Sequence, residues 1–170
     1  MATSIDNFIE EYNELHSFLL CNGQVSSAIE LNSNYRKILL LSCASYYETR
    51  IVGMLQSFAN KSSSDPRLVC FLKNKAIERQ YHTYFNWKEN NINNFLGLFG
   101  SDFKSKVLSD IRDNPTLSIQ IKAFLTIGSE RNMMVHENFM EYNLEKTFDE
   151  IVTLHNDALK FIDYLENEFR

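Results

Sequence analysis

A chain of 170 residues that is 44% hydrophobic and 23% charged predicts a globular protein rather than a disordered one. Its net charge of −5 argues against an indiscriminate nucleic-acid binder, and no run approaches the roughly 18 consecutive apolar residues of a membrane-spanning helix. Only 5 glycines and 2 prolines punctuate the chain, which favours an all-α fold.

The cysteines and the N-terminus indicate a cytoplasmic protein. Cys21, Cys43 and Cys70 are scattered, so they form no CxxC pair and no zinc-type cluster with histidine. An odd number of scattered cysteines suits a reducing compartment. Acidic residues interrupt the N-terminal stretch, which therefore lacks the pattern of a signal peptide. We expect no cofactor, no metal ion and no membrane association.

The charges are unevenly distributed along the chain. Residues 1–59 carry 3 basic and 6 acidic residues (net −3), residues 60–122 carry 10 and 6 (net +4), and residues 137–170 carry 3 and 9 (net −6). The positive middle predicts a local phosphate-binding surface. Solvated helix faces would explain the same charges equally well.

Two amphipathic helices open the chain. The first is predicted over residues 5–20 and ends at Asn22-Gly23. The second is predicted over residues 26–58, with an apolar stripe in which Glu48 occupies the middle. Because a lone buried carboxylate is costly, Glu48 is expected to have a partner.

The middle of the chain alternates loops and short helices. Residues 60–66 form a loop from which Asp65 and Pro66 start a helix over 66–80, which carries Lys73 and Arg79. Residues 81–95 are rich in aromatic side chains and asparagine and predict a loop leading into a short helix. Two interpretations are open for Trp87 and its neighbours. The aromatic rings stack on bases of RNA, with Lys73 and Arg79 as further contacts, or they pack their own loop.

Long helices return in the C-terminal half. A helix from Ser101 or Asp102 to Asp113 is broken at Asn114-Pro115. The next helix is predicted over 117–139 with Thr116 as its cap, and a last helix over 144–169 is capped by Asn143. Without an internal repeat or a second domain, residues 1–170 are expected to form a single helical bundle.

The helix over 117–139 has polar groups on its apolar face. On a helical projection, Asn132 falls inside a stripe that runs from Leu117 to Phe139, and Arg131 and His136 flank it. Burying such groups is costly unless they are paired. Gly128, one turn earlier, costs about 1 kcal/mol relative to alanine in a helix and indicates a close approach. Local rules broken together at one place favour a functional site.

Glu48 on the second helix and the polar groups on the helix over 117–139 are expected to meet in the fold. Glu48 with Arg131 is the expected ion pair, and it has two interpretations. One is a structural ion pair in a helical core. The other is an active site, in which His136 moves a proton, Arg131 stabilises negative charge on a phosphate and Asn132 orients either of them. Such a set suits phosphodiester chemistry without a metal ion.

The motif Arg131-Asn132-x-x-x-His136, late in an all-α chain, resembles the HEPN superfamily signature R-x(4–6)-H. The upstream Ser45-Tyr46-Tyr47-Glu48 and the middle stretch from Trp87 to Gly100 resemble the RiboL-PSP-type branch. The similarity spans about residues 40–155. One related branch carries H-x-Y after the arginine as a modification site, whereas position 138 is Asn here.

The resemblance implies an HEPN-like up-and-down bundle with additional short helices, in which two subunits bring their motifs together in one cleft. It implies a metal-independent endoribonuclease, the toxin or effector of a toxin–antitoxin or antiphage defence system. Arg131 and His136 would be catalytic, with Asn132 and Glu48 in support. RNA would be the substrate and an antitoxin or defence component the partner. The alternative is a non-catalytic HEPN module that dimerises and binds a protein or nucleotide. From the residues alone we expect the dimer to use the motif helix near Gly128.

Overall fold

Eight α-helices and one π-helical turn make up residues 3–170, the part of the chain that this computed structural model describes. In order, they are α1 (Ser4–Cys21), α2 (Val25–Ser62), α3 (Pro66–Leu72), the π-helical turn (Lys73–Ile77), α4 (Tyr81–Tyr84), α5 (Asn93–Gly97), α6 (Ser101–Asp113), α7 (Pro115–His136) and α8 (Phe148–Glu168). No strand occurs in these residues. The predicted all-α fold is confirmed.

Local capping signals explain where several helices begin. The Asp65 side chain accepts a hydrogen bond from the Arg67 amide at 2.9 Å, and Pro66 occupies the first turn of α3. Asn114 accepts from the Thr116 amide at 3.1 Å, so Asn114 and not Thr116 caps α7, which begins at Pro115. Gly23, with φ of 71°, makes the turn that separates α1 from α2.

Two predicted boundaries near the motif are wrong. The last helix begins at Phe148 rather than at residue 144, because Thr147 and Glu150 form a capping box. Asn143 therefore does not cap it. The motif helix ends at His136 rather than at residue 139. Residues 137–147 are instead a loop that follows the motif, and we call it the post-motif loop.

The predicted helix over 66–80 also ends early. After the π-helical turn, Arg79 adopts the left-handed conformation with φ of 62°, which a helix interior does not accommodate. The chain then forms the single turn of α4, where a loop had been predicted. As a result, Tyr81 and Tyr84 are buried and His82 is exposed.

The long helices pack into a bundle around one apolar cluster. α7 packs along α8, and α2 contacts α1, α7 and α8. Most of the fully buried side chains come from these helices and from α5; they include Leu39, Tyr47, Ile51, Phe95, Phe124 and Phe161. This packing places the C-terminal end of α7 beside α2 and the post-motif loop.

Candidate active site

The final turns of α7 carry the polar motif. Arg131 and Asn132 are half-buried, and His136 is exposed as the last residue of the helix. The buried face here is not the projected stripe, because Met134 is fully buried and Val135 is 48% exposed. The motif therefore lies at the edge of the apolar core.

Asn132 orients the guanidinium of Arg131. Nη1 of Arg131 donates a hydrogen bond to Oδ1 of Asn132 at 3.1 Å. This use of the amide oxygen directs the arginine while leaving its other N–H donors for a ligand. A half-buried guanidinium with several remaining donors is suited to binding a phosphate.

The ion pair predicted between Glu48 and Arg131 is not formed among the described residues. The Glu48 side chain is 40% exposed, and its Oε2 lies 3.9 Å from Nε2 of His82 on α4. Glu48 sits at the margin of the face of α2 that buries Tyr47 and Ile51, so it was wrongly placed in the core.

Glu48 and Arg131 nevertheless act on one common group, the phenol of Tyr81. Burial raises the pKa of Tyr81, the charge of Glu48 raises it further, and the charge of Arg131 lowers it. The structure thus brings the carboxylate and the guanidinium to the surroundings of α4 without a direct pair. Sequence reasoning missed Tyr81 and His82, because α4 had been predicted to be a loop.

A comparison with known protein families assigns the chain to one of them. The family model described as RiboL-PSP-HEPN matches residues 6–170. The chain belongs to the RiboL-PSP-HEPN family. No curated protein and no solved structure matches it. HEPN membership indicates a nuclease-type or RNA-related function.

The glycine on the motif helix of this HEPN domain accommodates a tryptophan from the same chain. A Cβ atom added to Gly128 would lie 1.9 Å from Cζ3 of Trp87. The indole also donates from Nε1 to the carbonyl oxygen of His82 at 3.1 Å and packs on Phe85. The close approach predicted at Gly128 is real, but it is made within the subunit, so Gly128 no longer argues for a dimer contact. The structure shows the indole of Trp87 packed on its own loop and on α7, and its contact with RNA bases stays a prediction.

Charged side chains attach the post-motif loop of the HEPN domain to the bundle. Glu130 accepts a hydrogen bond from the Tyr142 hydroxyl at 2.8 Å and pairs with Lys146 at 3.3 Å. Lys37 of α2 is only 5% exposed and donates from Nζ to the carbonyl oxygens of Phe139 at 2.9 Å and Met140 at 3.2 Å. These contacts hold the loop that leaves His136. No local sequence pattern identifies Lys37, because its acceptors are 102 and 103 residues away.

The other predicted site residues lie outside the motif region. Lys73, in the π-helical turn, pairs with Glu78 at 3.5 Å, and Arg79 is exposed. Their contact with RNA stays a prediction. Residues 3–170 contain no group of three or more His, Cys, Asp or Glu side chains that would hold a metal ion. In the same residues, no helix is both long and apolar enough to cross a bilayer.

Proposed function

We propose that this protein is a metal-independent endoribonuclease of the HEPN type. The observation that carries the proposal is the Arg131–Asn132 hydrogen bond, which directs a half-buried guanidinium on the helix that ends at His136. A phosphate bound by Arg131 would then be reached by the exposed imidazole of His136, which ends the same helix. Arginine stabilises charge developing on a phosphate, and histidine moves protons near neutral pH.

The reaction follows from these groups and from RNA itself. The 2′-hydroxyl attacks the adjacent phosphorus, and its proton passes to a base. The bond from phosphorus to the 5′-oxygen breaks as that oxygen takes up a proton from an acid. The products are a 2′,3′-cyclic phosphate and a 5′-hydroxyl fragment. His136 serves as base or acid, and Arg131 stabilises the phosphorane-like transition state. DNA lacks the nucleophile and is not cut.

We further propose a homodimer that covers the motif. Three large apolar side chains are exposed around it, namely Met133 (44%), Val135 (48%) and Met140 (72%). A symmetric interface would bury this patch against its copy and bring two motifs into one cleft. The dimer surface is thus shifted from Gly128 to the end of α7.

RNA contacts beyond the motif are assigned to the basic middle of the chain. Arg79 is exposed and makes no ion pair within 4 Å among the described residues, and the Lys73 side chain is 49% exposed despite its contact with Glu78. Such side chains bind phosphates without reading sequence. Trp87 is half-buried with its six-membered ring on Gly128, and base stacking by its remaining exposed surface stays a prediction.

The cellular role we propose is that of a cytoplasmic toxin or defence effector with a cognate protein partner. One observation also supports the non-catalytic alternative, an HEPN module that binds a partner. The exposed apolar side chains beside the motif would serve a protein interface as well as they serve a dimer.

Incubation of the purified protein with total RNA in EDTA tests the enzyme proposal. We expect cleavage to continue and to leave 2′,3′-cyclic phosphate ends. Loss of all cleavage in EDTA, with recovery on adding a divalent ion, would contradict the metal-free mechanism. A protein that cuts no RNA with or without divalent ions, yet binds a partner through the motif surface, would be the non-catalytic module.

A further inference from the structure

His82 is an exposed histidine for which the proposed reaction has so far had no role. It lies on α4, and its Nε2 is 3.9 Å from Oε2 of Glu48 on α2, with 43% of the His82 side chain exposed. The two groups are 34 residues apart in the chain, so only the fold brings them together. An imidazole beside a carboxylate at a solvent-accessible position is an arrangement that moves protons.

Trp87 contacts both α4, which carries His82, and the motif helix α7. The indole donates to the backbone carbonyl of His82 and lies with its six-membered ring on Gly128. Gly128 precedes Arg131 by one helical turn on α7. One rigid side chain therefore sets the distance between α4 and the arginine of the motif.

Aromatic packing holds these elements together, because the ring centroid of Tyr81 lies 5.5 Å from that of His82 and 5.7 Å from that of Trp87. Glu48 from α2 and Arg131 from α7 both act on the phenol of Tyr81, the residue that precedes His82. The imidazole of His82 thus has the carboxylate of Glu48 within 4 Å and the buried ring of Tyr81 beside it.

The chemistry requires a second group of this kind. Cleavage of RNA takes one proton from the 2′-hydroxyl and gives one to the departing 5′-oxygen. His136 accounts for one of these transfers. We propose that His82 carries out the other, with Glu48 as the residue that positions its imidazole. This inference rests on the proposed ribonuclease function.

In the proposed role, Nε2 is the nitrogen nearer to Glu48, and Nδ1 exchanges the proton with the substrate. The separation of 3.9 Å is too long for a hydrogen bond, so substrate binding or a bridging water completes the contact. The site neither gains nor loses a proton overall, because the base takes one proton from the 2′-hydroxyl and the acid gives one proton to the 5′-oxygen.

A sulfur-substituted substrate tests the assignment. The probes are an RNA oligonucleotide that the protein cuts and the same oligonucleotide with a bridging 5′-phosphorothiolate at the cleavage site. Its departing thiolate needs no proton, so loss of the general acid is rescued and loss of the base is not. We expect His82→Ala to slow cleavage of the oxygen substrate by roughly 10²–10⁴-fold. Of His82→Ala and His136→Ala, one variant and not the other should regain its rate on the sulfur substrate, and each should lose one limb of the pH–rate profile.

The controls separate a proton-transfer role from a structural one. Thr83→Ser changes the exposed neighbour on α4 but keeps the hydroxyl that donates to the Gln80 carbonyl oxygen, and it should cut both substrates at the wild-type rate. His82→Ala keeps the backbone carbonyl that binds Trp87, so its melting temperature should stay near that of the wild type. If His82→Ala does not fold, His82→Gln retains size and hydrogen bonding and replaces it.

The outcomes distinguish this inference from the proposed function. If the wild type cuts no RNA, the ribonuclease function is wrong, and the inference is lost with it. If the wild type cuts and Arg131→Ala does not, but a folded His82→Ala cuts at the full rate, the function stands and His82 has no role. A slow His82→Ala with neither histidine variant rescued by sulfur would also overturn the assignment.

Discussion

At the scale of single residues, two histidines differ because their surroundings differ. His136 is exposed at the end of α7, whereas His155 on α8 is only 1% exposed. Nδ1 of His155 lies 2.9 Å from the Tyr47 hydroxyl, and its Nε2 has no hydrogen-bond partner among the described residues. His136 is therefore accessible to a substrate, whereas His155 is part of the core.

Replacing His136 with alanine separates catalysis from folding. If this imidazole carries a proton in the transition state, the cleavage rate should fall by roughly 10²–10⁴-fold. Because the side chain is exposed, the melting temperature and the binding of uncleaved RNA should change little. Glu137→Ala, at the next exposed position, is the matched control and should cut normally. A folded His136→Ala protein that cuts as fast as the wild type would disprove the catalytic assignment.

The pH dependence of stability should reveal His155. Burial lowers the pKa of His155, and the charge of Asp6 opposes this only in part. The unfolded chain, in which a histidine has a pKa of about 6.5, therefore binds the proton more tightly than the folded protein. Above about pH 6.5, the free energy of unfolding should include the full contribution of neutral His155. As the pH falls below about 6.5 toward the lowered pKa of His155 in the folded protein, the free energy of unfolding should decrease.

Urea unfolding between neutral pH and about pH 5 measures this effect. The matched variant is Tyr47→Phe with His155→Phe, which removes both hydrogen-bonding partners together and leaves neither unsatisfied. It should show a smaller decrease in stability over the same pH range. Equal pH dependence in the two proteins would mean that His155 does not titrate as expected.

At the scale of elements, α7 depends on contacts made by distant parts of the chain. Trp87 fills the space above Gly128, and Glu130 and Lys37 hold the post-motif loop. Phe85, Phe124 and Tyr81 surround the indole, so it has little room to move. A side chain at Gly128 would have to displace this cluster.

Two glycines within helices provide a matched test of that contact. Gly128→Ala should lower the free energy of unfolding by about 1–3 kcal/mol, because its Cβ would overlap the indole ring. Gly53→Ala in α2 meets no atom within 4 Å and should raise stability by up to about 1 kcal/mol through helix propensity. Chemical denaturation of both variants measures the difference. Equal stabilisation by the two substitutions would show that Trp87 does not pack on Gly128.

At the scale of the whole molecule, the motif lies where the bundle leaves apolar side chains exposed. Ile119 near the start of α7 is also exposed, at 60%, whereas Val135 and Met133 adjoin the catalytic candidates. About 24 Å of helix separates Ile119 from Val135 at 1.5 Å per residue. The two ends of α7 can therefore be tested independently for self-association.

Val135→Asp should weaken the proposed homodimer, because a carboxylate would be buried in each half of a symmetric interface. Sedimentation velocity at micromolar concentration should show more monomer for this variant than for the wild type. Ile119→Asp changes another exposed side chain, far from the motif, and should leave the association state unchanged. A monomeric wild type would remove the composite cleft, and a Val135→Asp protein that remains dimeric would place the interface elsewhere.

The sequence alone determined the long helices, several of their ends and the family. Asp65 with Pro66, Asn114 with Pro115, and Gly23 act on neighbouring backbone groups, so their effects can be read locally. The capping box that Thr147 forms with Glu150 is equally local, so the sequence also contains the signal for the start of α8. The motif and the upstream glutamate were sufficient to predict the HEPN fold, which the family match confirms.

Only the tertiary structure decided which side chains meet. The pairing of Glu48 with His82 instead of Arg131, and the covering of Gly128 by Trp87, depend on how helices are rotated and offset against each other. The end of α7 at His136 likewise coincides with the capture of carbonyl groups by Lys37, more than a hundred residues away. Capping is governed by bonds within about four residues, whereas contacts between helices are governed by core packing summed over the whole chain.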